Sequence, residues 1–119
     1  MKTLVIGASE KPDRYSNKAI RMLRQYNHDV VALGMKPGKV DDVSFSNERQ
    51  LFENIHTVTL YINPTIQKDY EDYILSLKPK RVIFNPGTEN SEFEKRLKGN
   101  GIEPTEACTL VLLSTHQYD

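Results

Sequence analysis

The sequence predicts an α/β fold: a mostly parallel sheet of about five to six strands between two layers of helices. Four short apolar runs, rich in β-branched residues, alternate with segments of helical spacing, as in right-handed β-α-β units. The runs are nearly continuous, which indicates strands covered on both faces. A chain of 119 residues has the usual size of one domain, so a single domain, residues 1–119, is expected.

Local signals place the helices between these runs. The strands are predicted at residues 3–6, 30–33, 57–62 and 81–84. A first helix is expected after Ser16, a good N-cap residue, and a second after Pro64, ending before Pro79. A third covers residues 91–98 and ends at Gly99. Strands and helices in this order predict a Rossmann-like three-layer α/β/α fold.

The remaining segments have weaker patterns. Between residues 34 and 46 the sequence predicts a loop with a short strand at 43–45, followed by a short helix at 48–53. Residues 101–103 are expected to add an edge strand that Pro104 ends. The apolar segment 107–113 is expected to pack on its own domain, although it could also cover a partner or form a homodimer interface.

The composition argues against several classes of protein. With 16 basic and 16 acidic side chains the net charge is zero, so neither nucleic acid nor a membrane is an expected partner. No run approaches the roughly 20 apolar residues of a membrane span. Cys108 is the only cysteine, which excludes an internal disulfide and favours a cytoplasmic location. One cysteine and three scattered histidines lack metal-ligand spacing, so no metal site is predicted.

The turn after the first strand, Gly7-Ala8-Ser9, is the main candidate for a binding site. Glycine allows a sharp turn and the close approach of an anion, while Ser9 adds a hydroxyl donor. The next helix would add free N–H groups and the positive end of its dipole. The standard dinucleotide fingerprint would need glycines where Ser9 and Pro12 stand, and no Walker motif is present. A turn without any ligand is the alternative.

Polar residues follow the other three strands at the same predicted edge. Lys36 could meet a phosphate on a ribose or be simply solvated, and no acid stands there to bind the ribose of NAD. Asn63 could contact a ligand or only cap the second helix. The candidates at these three strand ends are Gly34, Met35, Lys36, Tyr61, Asn63, Pro64, Asn85, Pro86 and Gly87.

In this order and spacing, these segments resemble the small stand-alone coenzyme A-binding proteins, which are related to the CoA-binding domain of succinyl-CoA synthetase and acyl-CoA synthetases. The similar pieces are Val5-Ile6-Gly7-Ala8-Ser9, Pro12-x-Arg14-x-Ser16, Val31-Ala32-Leu33 with the lysine after it, Tyr61-Ile62-Asn63-Pro64 and Ile83-Phe84-Asn85-Pro86-Gly87. Cys108 also falls near a cysteine common in the family. The resemblance covers essentially the whole chain.

The resemblance implies that the ligand is coenzyme A or an acyl-CoA. Its pyrophosphate would lie over Gly7-Ala8-Ser9 and over a helix that begins near Asn17, with Arg14 and Ser16 leading into that helix. The adenosine side would lie along Gly34-Met35-Lys36. Tyr61-Ile62-Asn63-Pro64 and Asn85-Pro86-Gly87 would border the rest of the ligand.

No catalytic residue is predicted. The larger CoA ligases use a catalytic histidine on a separate domain and a module for ATP, and neither fits into this length. His28, His56 and His116 do not follow a strand at the ligand edge, and Cys108 has no evident base beside it, so a buried inert thiol is expected. The sequence favours a non-catalytic sensor, carrier or regulatory module. The alternatives are a minimal NAD(P)-binding oxidoreductase subunit and a protein-interaction domain that retains the fold.

Overall fold

The computed structural model describes residues 1–119 as seven strands and five α-helices. The strands are β1 (Lys2–Ala8), β2 (Asp29–Gly34), β3 (Gly38–Val40), β4 (Val43–Phe45), β5 (Ile55–Leu60), β6 (Arg81–Phe84) and β7 (Glu103–Glu106). The helices are α1 (Tyr15–Gln25), α2 (Pro64–Gln67), α3 (Glu71–Leu77), α4 (Ser91–Gly99) and α5 (Thr109–Ser114). Five strands form one parallel sheet in the order β2-β1-β5-β6-β7. The predicted Rossmann-like α/β fold is confirmed.

Two hydrophobic layers cover the sheet, one on each face. Leu4 and Ile6 of β1 belong to one buried cluster, together with Phe93 of α4. Val5, between them, belongs to the other cluster, together with Ile20 of α1. Adjacent residues of one strand are therefore buried on opposite faces, which explains why the apolar runs of the strands are nearly continuous. No helix of the structure is long and apolar enough to cross a membrane.

The order of the strands reverses at β1, which has β2 on one side and β5 on the other. The chain therefore passes from β1 to β2 on one side of the central strand and then crosses to β5 on its other side. Open α/β sheets bind ligands in the crevice that forms at such a point, beside the carboxyl ends of the strands. Here the crevice lies where the chain leaves β1 at Ala8 and β5 at Leu60.

A hairpin between β2 and β5 extends this edge. The predicted strand at 43–45 is confirmed as β4, and it pairs antiparallel with β3, a strand that the sequence did not predict. The backbone N–H of Gly34 donates a hydrogen bond to the carbonyl oxygen of Ser46 over 3.1 Å, which attaches the hairpin to the end of β2. The hairpin therefore lies beside the loop that follows β2.

The predicted helix at 48–53 is wrong, because this segment contains no regular element. Its backbone makes a single turn, from the N–H of Gln50 to the carbonyl oxygen of Glu48. Phe52 packs against a core cluster and the hydroxyl of Tyr73 bonds the carbonyl oxygen of Gln50. These two contacts hold the segment without a helix, whose first turn is costly to form.

The predicted end of the sheet at Pro104 is also wrong, because β7 runs through this residue and pairs with β6. The N–H groups of Glu103 and Ala107 bond the carbonyl oxygens of Lys80 and Phe84. Because alternate residues of β7 direct their N–H groups at β6, the backbone nitrogen of Pro104 points away from β6. A proline at this position therefore loses no hydrogen bond between the two strands. The predicted helix after Pro64 also differs, since a 3₁₀ turn at Lys68–Tyr70 separates α2 from α3.

Candidate functional site

Gly7 brings the ends of β1 and β5 together at the reversal of the strand order. Its φ is +101°, a conformation that residues with a side chain rarely adopt. A Cβ atom on Gly7 would lie only 2.8 Å from the carbonyl oxygen of Tyr61. The N–H of Tyr61 also donates to the carbonyl oxygen of Ile6 over 2.9 Å. Two of the predicted binding segments therefore meet at this glycine.

The N-terminus of α1 faces the loop from Ala8 to Arg14 with unused hydrogen-bond donors. The helix begins at Tyr15, with Arg14 in the N-cap position and no side-chain cap, so the predicted N-cap at Ser16 is wrong. The first helical bond runs from Lys18 N–H to the carbonyl oxygen of Arg14. The N–H groups of Tyr15, Ser16 and Asn17 make no bond within the chain. Such groups, at the positive end of the dipole, form an anion-binding site.

Polar side-chain contacts hold the loop that precedes α1. The side-chain amide of Asn17, itself buried, donates to the carbonyl oxygen of Ser9 over 2.9 Å. Arg21 donates to Oδ1 of Asn17 over 2.8 Å and to the carbonyl oxygen of Pro12 over 3.1 Å. Ser16 is the second residue of the helix, two positions after the cap, and it is buried without a capping role. The predicted residue Asn17 thus supports the loop by its side chain and offers only its backbone N–H.

Exposed cations stand on the segments next to these donors. Their side chains belong to the loop before α1, to its first turn and to the hairpin region, and they are Lys11, Arg14, Lys18, Lys36 and Lys39. Of the acids in the same segments, Glu10 and Asp13 stand in the loop before α1, whereas Asp41 and Asp42 form the turn between β3 and β4, where Asp42 pairs with Arg24 of α1. A chain with no net charge therefore has a local excess of positive charge at this edge, which would attract an anion.

The loop after β2 lies against the end of β1. A Cβ atom on Gly34 would be 2.7 Å from the carbonyl oxygen of Ala8, so a larger residue would separate the two strands. Met35 is 82% exposed and Lys36 is exposed, so this loop presents one apolar and one cationic side chain. The structure therefore places the predicted residues 34–36 next to the loop after β1.

Asn63 and Pro64 begin α2. Oδ1 of Asn63 accepts a hydrogen bond from the N–H of Ile66 over 2.9 Å, and Pro64 occupies the first turn, where its missing N–H has no cost. The capping interpretation of Asn63 is therefore confirmed. The hydroxyl of Tyr61 is buried without a hydrogen-bond partner, and this burial is the main cause that raises the pKa of Tyr61.

Asn85 is 2% exposed, and all of its amide is used inside the protein. Nδ2 donates to Oγ1 of Thr59 over 2.6 Å and to the carbonyl oxygen of Leu60 over 2.9 Å, while Oδ1 accepts from Thr109 N–H over 2.9 Å. The side chain thus connects β5 to the start of α5, and the structure does not bring it to the surface. The two residues after it, Pro86 and Gly87, are exposed.

Comparisons with known proteins identify the family of the chain. The family model for a "CoA binding domain" matches residues 1–114. The chain belongs to this CoA-binding family. A solved "uncharacterized protein" is 51% identical, with 98% of this chain and 96% of that chain covered and a TM-score of 0.95. Family membership supports the binding of coenzyme A in general.

More distant solved structures share the fold. A Thermus thermophilus protein is 24% identical, with 98% of this chain and 89% of that chain covered and a TM-score of 0.86. A hypothetical protein from Pyrococcus horikoshii OT3 is 22% identical, with coverages of 98% and 83% and a TM-score of 0.86. A search of curated proteins gave no significant match.

Cys108 and the three histidines occupy different edges of the sheet in this member of the CoA-binding family. Cys108 lies two residues after β7, at the same edge as the loop after β1, and it is half-buried, so the expected buried thiol is wrong. His28 precedes β2, at the opposite edge of the sheet from the loop after β1, and it packs against Tyr118 with ring centroids 5.0 Å apart. His56 lies in β5 and His116 after α5.

Buried His28 makes the stability of the fold depend on pH. Burial is the main cause that lowers the pKa of His28 below its ordinary 6.5, although Asp119 opposes it. The unfolded chain therefore binds the proton more tightly, so the free energy of unfolding should fall as the pH drops below 6.5. His56 adds in the same direction, since burial also lowers its pKa. Denaturant titrations from pH 8 to pH 5 measure this slope. We expect His28→Gln to reduce the slope and the same change at exposed His116 to leave it unaltered.

Proposed function

We propose that the protein binds coenzyme A or an acyl-CoA without transforming it, as a sensor, carrier or regulatory module. The observation that carries this proposal is the uncapped N-terminus of α1, which lies at the reversal of the strand order among exposed cations. Backbone N–H groups and cations are the partners that a diphosphate needs. Although the protein has no net charge, such a local site can select an anion. Its single cysteine favours a cytoplasmic location.

Each part of coenzyme A has a proposed position. The diphosphate lies over Gly7-Ala8-Ser9 and the first turn of α1, with Arg14 as a direct cationic partner. The adenosine end lies along Gly34-Met35-Lys36, where the exposed Met35 can cover the base. Tyr61, Pro64, Pro86 and Gly87 border the remainder. Asn17, Asn63 and Asn85 support the site from inside, since each side chain is occupied by the protein's own backbone.

The cations and backbone N–H groups at this edge support a binding role rather than catalysis. The N–H groups of α1 and the surrounding lysine and arginine side chains hold an anion but do not accept a proton at neutral pH. An NAD-type cofactor is disfavoured, because β2 ends in Gly34 rather than in an acid that would bind a ribose hydroxyl.

Calorimetric and thermal-shift titrations with CoA, acetyl-CoA and NADPH test the proposal. We expect CoA or acetyl-CoA to stabilise the protein by about 2.7 kcal/mol at a hundredfold excess over Kd, and NADPH to do so far less. Arg14→Glu should weaken CoA binding at least about tenfold, because a favourable charge becomes a repulsive one. Lys95→Glu, the same charge reversal on exposed α4, is the control.

Three results would decide against this function. No stabilisation by CoA or acetyl-CoA at millimolar concentration would exclude it. Preferential stabilisation by NADPH would favour the oxidoreductase alternative. Equal effects of Arg14→Glu and Lys95→Glu would place the binding site elsewhere. Native mass spectrometry of the purified protein would show whether an acyl group accompanies the bound ligand.

A further inference from the structure

Glu10 connects the loop before α1 to the hairpin. Its Oε2 accepts a hydrogen bond from the backbone N–H of Lys39, the middle residue of β3, over 2.9 Å. The two residues are 29 positions apart in the chain, and each lies next to a different binding segment, Gly7-Ala8-Ser9 for Glu10 and Gly34-Met35-Lys36 for Lys39. Because the acceptor is a carboxylate, this bond is stronger than one between neutral groups.

Packing strengthens the same junction. A Cβ atom on Gly38 would lie 2.7 Å from Cγ of Glu10 and 2.7 Å from Cζ of Phe45. A Cβ atom on Gly34 would lie 2.9 Å from the ring of the same Phe45. The two glycines that flank the loop after β2 therefore both rest on Phe45. The stem of Glu10 packs against Gly38, and its carboxylate bonds the residue that follows.

The loop between these glycines depends on its two ends. At Gly34 the anchor is the hydrogen bond to Ser46, and at Gly38 and Lys39 it is the contact with Glu10. Between them, Met35 and Lys36 are exposed. In sheets of this type the ligand's phosphates lie at the first helix N-terminus and its ribose lies beside the end of the second strand. Glu10 therefore joins the two regions that a nucleotide-type ligand must contact together.

We infer that Glu10 is a positioning residue, which holds the loop after β2 at a fixed distance from the phosphate site. The inference rests on the proposed function. It adds that Glu10 makes the site selective for ligands that contain the adenosine part of coenzyme A. Glutamine at position 10 can still accept the bond from Lys39, whereas alanine cannot. An acceptor at position 10 is therefore expected to keep most of the anchoring, even when it is neutral.

Three probes separate the two halves of the ligand: CoA, adenosine 3′,5′-bisphosphate and 4′-phosphopantetheine. We expect Glu10→Ala to weaken the first two about tenfold in calorimetric titrations, as the loss of one charge-assisted hydrogen bond predicts. The affinity for 4′-phosphopantetheine should change less than about twofold. Glu10→Gln should restore the affinities. Asp13→Ala removes the same charge from the same exposed loop without this contact, so it should keep the original affinities.

Hydrogen exchange tests the junction without any ligand. The Lys39 amide should lose protection in Glu10→Ala and keep it in Glu10→Gln and Asp13→Ala. The inference is overturned if Glu10→Ala binds all three probes like the original protein, or if it weakens 4′-phosphopantetheine as much as CoA. Equal losses in Glu10→Ala and Glu10→Gln would instead assign a direct role to the charge. Failure of the unsubstituted protein to bind CoA would overturn the proposed function as well, and only that result overturns both.

Discussion

Replacing Gly7 with alanine is expected to destabilise the protein by about 3 kcal/mol and to weaken CoA binding more than tenfold. Two physical costs add up. A φ of +101° strains a residue with a side chain by roughly 1–3 kcal/mol, and the new Cβ, 2.8 Å from the carbonyl oxygen of Tyr61, forces the ends of β1 and β5 apart. Their separation also moves the loop that leads to the free N–H groups of α1.

Gly101→Ala separates these two costs. Gly101 also has a positive φ, of +74°, but a Cβ there would meet nothing within 4 Å. Urea titrations should therefore show a smaller loss of about 1 kcal/mol, with unchanged affinity for CoA. If Gly7→Ala and Gly101→Ala lost the same stability, the approach of Tyr61 would not matter. If Gly7→Ala folded and bound CoA normally, the ligand would lie elsewhere.

The elements that local pattern determines were predictable. The strand at 81–84 coincides with β6, and the other three predicted strands overlap β1, β2 and β5, because continuous β-branched runs leave little alternative. β3 was missed, since its three residues carry no period and depend on Phe45 and Glu10 for their contacts. The helix predicted at 48–53 is wrong for the same kind of reason. Distant partners, Tyr73 among them, hold that segment in an irregular form.

In the candidate site, too, local features were predictable and features that depend on distant contacts were not. A glycine directly after a central strand is a local signal, and the structure gives Gly7 the conformation that only glycine adopts readily. Helix α1 starts two residues earlier than expected. This start was not predictable, because it depends on hydrogen bonds that the side chains of Asn17 and Arg21 make with the preceding loop. Glu10 carried no signal, since its partner is 29 positions away. The place of Asn85 after a strand and the family resemblance suggested it as a ligand contact, and only its burial and hydrogen bonds in the structure indicate an internal role.

Asn85→Ala is expected to cost about 3–4 kcal/mol of folding free energy. The substitution removes three hydrogen bonds and leaves the carbonyl oxygen of Leu60 and the N–H of Thr109 buried without their partner, each at about 1–3 kcal/mol before relaxation. The start of α5 would also lose its attachment to β6. Asn47→Ala, the same substitution at an exposed residue, is the control and should change stability by less than about 0.5 kcal/mol.

Asn85→Asp distinguishes support of the fold from contact with the ligand. A carboxylate can still accept the bond from Thr109 but cannot donate to Thr59 or Leu60, and its charge would be buried. We therefore expect it to be at least as destabilising as alanine at neutral pH and to recover as the pH falls, because protonation restores a donor. CoA affinity, measured where each variant is folded, should stay within about threefold of the original. A large loss of affinity with little loss of stability would instead mean that the amide of Asn85 reaches the ligand, and that the loop before α5 opens when CoA binds.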